Sequence, residues 1–225
     1  SPQVTMVCDG ESVPRISTLL EPGGRVEGRP ERLNENSGIA FQGCIVLGKG
    51  FVLELEEARG WIERDPRNAE VLFPYLSGED LNSRPDCSAS RWAIDFNTCS
   101  EEEARTYGLP YGRVLERVRC ERSRNKRKSR RDYWWKFAEN ATGMRKAVAK
   151  LNEVLVIALV SKAVMPVRVP TGQVFSHKLA VFATHRFVDQ AVLSSSLHLL
   201  WVMRYSSTMR ADVNYSPSDV FETFP

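Results

Sequence analysis

The sequence predicts an α+β fold, with a mixed, mostly antiparallel sheet, flanking helices and one long basic helical segment. In the first half of the chain, short apolar runs alternate with stretches in which apolar residues recur at helical spacing. In the second half, runs rich in β-branched residues follow one another through turns, at residues 154–160, 164–169, 174–175 and 179–183. Strands joined by such short connections pair antiparallel. The 225 residues, 42% of them hydrophobic, suffice for one main domain.

The N-terminal region shows little apolar periodicity. Residues 1–38 are rich in Pro, Gly, Glu and Arg, which predicts an extended lead-in or linker, and the main domain is expected over residues 39–225. Two strands are predicted at residues 39–47 and 51–53, joined by a tight Gly48-Lys49-Gly50 connection. A helix follows and ends before Pro66, because the residue before a proline disfavours helical geometry.

The middle of the chain alternates loops, strands and helices. Residues 74–85 are predicted to form a turn-rich loop, and residues 91–96 alternate as a strand should. Ser100 with Glu103 fits a capping box at a helix start. The acidic triplet at residues 101–103 is thereby favourable charge in a first helical turn, and paired catalytic carboxylates are the weaker interpretation.

The last elements predicted are two helices and a strand. A long helix after Pro110 should bury Val114, Leu115 and Val118 and continue into basic residues. Residues 189–204 predict an apolar, buried helix. Residues 210–215 alternate polar and apolar side chains, which indicates a strand or an extended loop.

Residues 119–136, hereafter the basic segment, carry the strongest charge pattern. They hold nine basic side chains against Glu121 and Asp132. Such a density of positive charge repels itself and is suited to a polyanion, because Lys and Arg neutralise phosphates and release counterions. A solvated helix face is the alternative. The adjacent Trp134 and Trp135 could stack on a base, but two such residues at a helix end are more often buried anchors.

Other function classes find little support. The five cysteines are odd in number and lack a C-x-x-C spacing, which favours reduced thiols and a cytoplasmic protein. The three histidines are isolated, so no metal site is expected. Gly48-Lys49-Gly50 is not a phosphate-binding P-loop, and the serines at 194–196 lack the glycines of a nucleophile elbow. The longest apolar run, residues 154–160, is too short to span a membrane. No catalytic residue is therefore predicted.

Several separated motifs together point to a family. They are Leu33-Asn34-Glu35-Asn36, Phe41-Gln42-Gly43, Leu47-Gly48-Lys49-Gly50-Phe51, Asp65-Pro66-Arg67-Asn68, the run from Leu72 to Asn82, Arg91-Trp92, Arg124-Asn125-Lys126-Arg127, Trp134-Trp135, Val160-Ser161-Lys162, Pro170-Thr171-Gly172 and Phe221-Glu222-Thr223-Phe224-Pro225. In these motifs the chain resembles the C-terminal target-recognition region of MmeI-like type II restriction–modification enzymes and of related adenine-N6 DNA methyltransferases. The resemblance spans residues 33–225.

The resemblance implies a division of labour within a longer polypeptide. In such enzymes an upstream domain binds S-adenosylmethionine and carries an Asn-Pro-Pro-aromatic motif for the flipped adenine. This sequence contains neither that tripeptide nor a glycine-rich cofactor turn. No cofactor is therefore expected in this chain. Its partners would be double-stranded DNA and the upstream methyltransferase domain, and whether the parent also cuts DNA stays open.

Two sets of DNA-contacting residues are predicted. The phosphate contacts are Arg122, Arg124, Lys126, Arg127, Lys128, Arg130, Arg131 and Lys162. The base readers are Arg210, Asp212 and Asn214, which project to one side of an extended segment and have planar donor or acceptor ends. A surface strand with solvated polar residues is the alternative for the second set. For the chain as a whole, an RNA-binding module and a non-catalytic scaffold domain are the rival functions.

Overall fold

The structure is a computed structural model that describes residues 6–13, 30–209 and 212–225. The described helices are α1 (Leu55–Arg64), α2 (Gly78–Ser83), α3 (Glu101–Arg105), α4 (Gly108–Ser123), α5 (Lys128–Asp132), α6 (Thr142–Val148), α7 (Phe187–Leu193) and α8 (Ser196–Tyr205). The described strands are β1 (Met6–Cys8), β2 (Glu11–Val13), β3 (Ala40–Gln42), β4 (Val52–Glu54), β5 (Leu72–Leu76), β6 (Arg91–Ile94), β7 (Glu153–Ala158), β8 (Val160–Ser161), β9 (Val167–Pro170), β10 (Val174–Phe175), β11 (Leu179–Phe182), β12 (Ser207–Met209) and β13 (Asp212–Asn214). The predicted α+β class is confirmed.

The described strands form three sheets and one hairpin. Two four-stranded sheets have the orders β10-β5-β6-β4 and β3-β11-β7-β9, and a three-stranded sheet has the order β12-β13-β8. Strands β1 and β2 form the hairpin. Among the described strands, every pairing is antiparallel except that of β10 with β5. The predicted mixed, mostly antiparallel arrangement is therefore confirmed for the described strands.

The sheet containing β7 separates two apolar cores. Side chains alternate along a strand, so Val154 and Val156 enter one core while Leu155 and Ile157 enter the other. The basic segment joins the first core through its tryptophans. Helices α7 and α8 and the C-terminal residues pack on the second core. The basic segment and helices α7 and α8 therefore lie on opposite faces of this sheet.

Local side-chain signals were reliable guides to helix ends. Helix α1 ends at Arg64, directly before the predicted Asp65-Pro66 stop. At the start of α3, the Ser100 hydroxyl accepts from the Glu103 amide at 3.1 Å, and the Glu103 carboxylate accepts from the Ser100 amide at 2.7 Å. In α4, Val114 and Val118 are fully buried and Leu115 is half-buried. The predicted helix stop, capping box and inward-facing positions are confirmed.

The loop predicted at residues 74–85 is wrong, because this stretch contains the end of β5 and all of α2. Strand β10 pairs only with Tyr75 and Leu76, so at Pro74 one side of β5 has no neighbouring strand. A proline without an N–H donor is tolerated there. Helix α2 begins at a capping box, in which Ser77 and Asp80 exchange hydrogen bonds.

The basic helical segment is shorter than predicted. Helix α4 ends at Ser123, and the five-residue α5 begins at Lys128. Between them the Asn125 side chain accepts a hydrogen bond from the Arg127 amide at 3.0 Å. This side-chain acceptor competes with the helical backbone and explains the break. The predicted strand over residues 39–47 is likewise short: β3 covers Ala40–Gln42, and Cys44 and Ile45 make single bridges.

The buried helix predicted at residues 189–204 is wrong in two respects. Ser195 caps a new helix by accepting from the His198 amide, so the stretch is divided into α7 and α8. Most of its apolar side chains are exposed, with Leu197 at 70% and Leu200 at 62%. We call this set the apolar helical face; it consists of Phe187, Val188, Val192, Leu197, Leu199, Leu200 and Met203. Leu193, His198 and Val202 are the buried positions.

The described part of the predicted lead-in contacts the C-terminal residues. The Asn36 amide group donates to the carbonyls of Phe221 and Phe224, at 3.1 and 2.6 Å. The Leu33 amide donates to the Glu222 carbonyl at 2.7 Å. These bonds attach residues 33–36 to the C-terminal end of the main domain. A boundary between residues 38 and 39 stays a prediction.

Candidate nucleic-acid interface

The loop between α4 and α5, together with α5 itself, presents a group of exposed cations, which we call the cationic loop. The exposed members of the basic segment include Arg124, Lys126, Arg127, Lys128 and Arg131. The Arg131 guanidinium donates to the carbonyls of Asn125 and Lys126, at 2.7 and 3.1 Å. Arg131 therefore holds the loop in shape while part of its side chain stays in solvent. These hydrogen bonds fix the loop backbone that carries the cations.

One carboxylate is shared by two of these arginines. Glu139 Oε1 lies 3.3 Å from Arg127 Nη1 and 3.4 Å from Arg130 Nη2. The backbone of Glu139 is fixed, because it exchanges two hydrogen bonds with Ile45. The Arg130 side chain is only 18% exposed, whereas that of Glu139 is half-exposed. One negative charge cannot neutralise two guanidinium groups, so this cluster keeps a net positive charge.

Arg122 is not available to a phosphate, which corrects its predicted role. The residue is 1% exposed. Its Nη2 donates to the carbonyls of Val46, Leu47 and Lys136, at 3.1, 2.8 and 3.3 Å. Burial lowers its pKa, and the nearby positive charge of Arg130 acts in the same direction. Arg122 is a structural residue that joins α4 to the chain after β3.

Trp134 and Trp135 are also structural. Both are buried, and the Trp135 indole donates to the Cys99 carbonyl at 3.2 Å. The favoured anchor interpretation is thus supported over base stacking. The neighbouring Tyr133 is 56% exposed and lines an open cleft of about 880 Å³ with Arg130, Lys136 and Glu139. No local pattern in the sequence distinguishes which of these three adjacent aromatic residues faces solvent.

A second cleft brings two predicted site residues together. Lys162 and Asp212 both line a cleft of about 470 Å³, which we call the β8–β13 cleft. Val213 pairs with Ser161 and Asn214 with Val160 in antiparallel register. Continuing this register by one residue places Asp212 across from Lys162. The remaining lining residues are Leu81, Asn82, Ala158, Ser161, Ala163, Met165 and Val167.

Asn214, the other predicted base reader among the described residues, does not line this cleft. Asn214 is half-buried, and its side-chain amide donates to the Ser207 hydroxyl at 2.9 Å. Val213 packs on the second core, as the predicted alternation requires. Arg210 lies outside the described residues. Base reading by these three residues stays a prediction.

Comparison with known proteins assigns the chain to a family. The sequence pattern of the family described as "MmeI, target recognition domain" matches residues 24–225. This chain belongs to that family. The resemblance predicted from the separated motifs is confirmed. No curated protein matches the chain.

The MmeI-family domain also has a counterpart among solved structures. It is similar to the Type IIL restriction-modification enzyme MmeI in complex with DNA, with a TM-score of 0.72 and 18% sequence identity. The match covers 94% of this chain and 28% of the MmeI chain. At this identity the similarity shows the fold. The MmeI-family domain therefore spans just over a quarter of the solved protein that it matches.

Features of other site classes are missing from the described part of this MmeI-family domain. Within residues 6–13, 30–209 and 212–225, no group of three His, Cys, Asp or Glu side chains could hold a metal ion. No described helix combines the length and the apolar character that crossing a bilayer requires. Cys44, Cys87, Cys99 and Cys120 are free thiols. The cationic loop and the β8–β13 cleft are the candidate functional surfaces of the described residues.

Proposed function

We propose that this domain binds duplex DNA and selects the target sequence for a parent modification enzyme, an adenine-N6 methyltransferase. The observation that carries this proposal is the exposed cationic loop between α4 and α5, present in a chain of the MmeI target recognition family. DNA presents closely spaced phosphates, and such cations neutralise them irrespective of sequence. The domain has no reaction of its own in this proposal.

Phosphate positioning falls to the exposed cations. These are Arg124, Lys126, Arg127, Lys128 and Arg131, with the partly buried Arg130 beside them. Lys162, predicted as a phosphate contact, is proposed instead as a donor in the β8–β13 cleft, which it lines. Arg127 and Arg130 would exchange part of their contact with Glu139 for a phosphate oxygen. The guanidinium group suits that exchange, because it bonds carboxylate and phosphate in the same forked geometry. Arg122 is excluded from this set by its burial.

Base reading is assigned to the β8–β13 cleft. A lysine ammonium offers donors and an aspartate offers acceptors, which are the two kinds of group that base edges in the major groove recognise. Both side chains line the same cleft, and the register of β8 and β13, continued by one residue, sets them opposite each other. Asn214, in the same strand, and Arg210, two positions before Asp212 in the sequence, remain candidate readers. The phosphate contacts give the affinity, and these few side chains give the sequence preference.

The salt dependence of DNA binding tests this proposal. If about five to seven cations contact phosphates, the log–log slope of affinity against salt should lie near −5 to −6. Replacing Lys126, Arg127 and Lys128 together by alanine should reduce the slope by up to about three units, with the preferred sequence unchanged. A matched control removes the same charge elsewhere, at the exposed Arg59, Arg64 and Arg67.

The outcomes separate the candidate functions. A flat slope would favour a scaffold role in which no polyanion is bound. A slope that falls equally in both triple variants would contradict a phosphate-binding role specific to the loop. Stronger competition by RNA than by duplex DNA of the same length would favour an RNA-binding module. We expect the salt slope of DNA binding to be reduced in the loop variant and unchanged in the control variant.

The parent polypeptide is proposed to supply the chemistry. S-adenosylmethionine would bind an upstream methyltransferase domain, so this domain should give no heat with the cofactor in calorimetry. Stoichiometric binding at micromolar concentration would contradict the assignment. The parent is proposed to act in the cytoplasm, where thiols such as those of Cys44 and Cys99 would stay reduced.

The apolar helical face supports the proposal that the methyltransferase domain is a partner. Soluble domains seldom expose a contiguous group of large apolar side chains unless another surface covers it. This face lies across the β7 sheet from the basic segment, so a covering domain need not displace DNA. Amide hydrogen exchange of α7 and α8 should be slower in the full-length parent than in the isolated domain. Equal exchange in both would contradict this docking.

A further inference from the structure

We propose that the β8–β13 cleft reads a thymine–adenine pair, and that Met165 recognises the 5-methyl group of the thymine. This inference rests on the proposed function, because it requires that the domain contacts the major groove. It assigns a particular base pair to the cleft. It also identifies Met165 as a contact residue, which the charge and polarity patterns of the sequence do not predict.

Met165 is an exposed apolar side chain on a fixed backbone. It is 58% exposed, while Pro166 is buried and Val164 packs on the second core. The Gln190 side-chain amide donates to the Pro166 carbonyl at 3.4 Å, and Val167 begins the pairing of β9 with β7. Both neighbours of Met165 are thus held inward. This backbone therefore leaves the thioether side chain of Met165 largely exposed at the cleft.

The polar groups of the cleft narrow the base pairs that it can accept. Lys162 donates and Asp212 accepts, and neither forms an ion pair with another described residue. In the major groove, a thymine–adenine pair offers the O4 acceptor and the N6 donor, and a cytosine–guanine pair offers the O6 and N7 acceptors and the N4 donor. Lys162 and Asp212 therefore match both pairs. They cannot distinguish between them alone.

The apolar wall makes that distinction. Ala163 and Met165 stand beside Lys162 in the same lining. Thymine carries a methyl group at the position where cytosine has only hydrogen, and apolar side chains recognise that methyl by contact. Met is suited to this contact because its flexible, polarisable side chain adapts to a small apolar group. The pair that satisfies all three side chains is thymine–adenine.

Asn82 is a wall of the cleft and not a reader. Its amide group donates to the Val160 carbonyl at 3.0 Å, and its side-chain oxygen accepts from the Ser161 hydroxyl at 2.8 Å. Both ends of the side chain are thus bonded within the protein. Lys162, Asp212 and Met165 are the groups of the cleft left to meet a base pair.

The test compares thymine with uracil, which lacks only the 5-methyl group. The recognition motif is first obtained by sequencing the sites methylated by the full-length parent. Duplexes are then made with uracil replacing each thymine of the motif in turn, outside the pair that is methylated, and binding is measured at fixed salt. At one position, uracil should weaken binding by about three- to tenfold, the effect expected from removing one buried methyl group.

Variants assign that effect to Met165. Met165→Ala should weaken binding to the thymine duplex by a similar factor and should no longer distinguish uracil from thymine. Met6→Ala is the matched control, because Met6 is exposed on β1 and does not line the cleft; it should keep the full distinction. Circular dichroism of both variants verifies that they fold.

Different results would refute the proposed function and the reading of thymine by Met165. A parent that binds all duplexes equally would overturn the proposed function itself. A parent that binds its motif specifically but shows no uracil effect at any position would overturn the thymine reading and leave the proposed function intact. A uracil effect that survives in Met165→Ala would assign the methyl contact to another residue and likewise refute the role of Met165.

Discussion

Replacing Arg122 by alanine should destabilise the domain without acting through DNA contacts. The Nη2 group has two hydrogens for three carbonyls, so at least two carbonyl oxygens lose a charge-assisted donor. A buried acceptor left unpaired costs about 1–3 kcal/mol, and removing the buried charge returns part of its desolvation cost. We expect a loss of about 3 kcal/mol in the free energy of unfolding. In urea this corresponds to a midpoint lowered by roughly 1 M or more.

The neighbouring Arg124 provides the matched control for this experiment. It belongs to the same basic run but is exposed. Arg124→Ala should change the free energy of unfolding by no more than about 0.5 kcal/mol. It should instead reduce the salt slope of DNA binding by up to about one unit. If Arg122→Ala kept full stability and lowered the salt slope, Arg122 would contact phosphate, and the structural role argued from its burial would be refuted.

Three further predictions concern stability and its pH dependence. Burial lowers the pKa of His198 below its ordinary value of 6.5, so the unfolded chain binds a proton that the folded chain does not; the free energy of unfolding should fall as the pH drops below 6.5, and His198→Leu should weaken that dependence in urea titrations at several pH values. Asp80→Ala should cost about 2–4 kcal/mol, because the buried carboxylate accepts bonds from the amides and hydroxyls of Ser77 and Ser90, and an unchanged thermal midpoint would contradict this. Ser100→Ala should cost about 1 kcal/mol through loss of the α3 cap, whereas Ser88→Ala, on an exposed turn, should cost less.

The sequence predicted those features that depend on neighbouring residues. The Asp65-Pro66 stop and the Ser100–Glu103 capping box act within three or four positions, so their residue types suffice to locate a helix end. The β-branched runs of the second half located β7, β9, β10 and β11, because two-sided burial in a sheet selects continuous apolar segments. The α+β class followed from these elements together.

The features that sequence reasoning missed depend on distant partners. Arg122 and Arg124 have the same side chain in the same basic run, yet only Arg122 meets the carbonyls of Val46 and Leu47, more than seventy positions away. Tyr133 and Trp134 are adjacent aromatics with opposite exposure. The apolar side chains of α7 and α8 were assigned to the interior, because composition alone does not show which face of a helix another domain would cover. A single sequence carries no local signal for any of these outcomes.

The separation of the two candidate surfaces bears on how this domain could acquire new specificities. The cationic loop and the lining of the β8–β13 cleft share no residue among those described. Phosphate contacts supply affinity for any duplex, while base-edge contacts alone discriminate between sequences. Substitutions at residues without common partners combine nearly additively. A change at Lys162, Met165 or Asp212 should therefore alter the preferred base pair at little cost in general DNA affinity, whereas a change in the loop should alter affinity for every sequence alike.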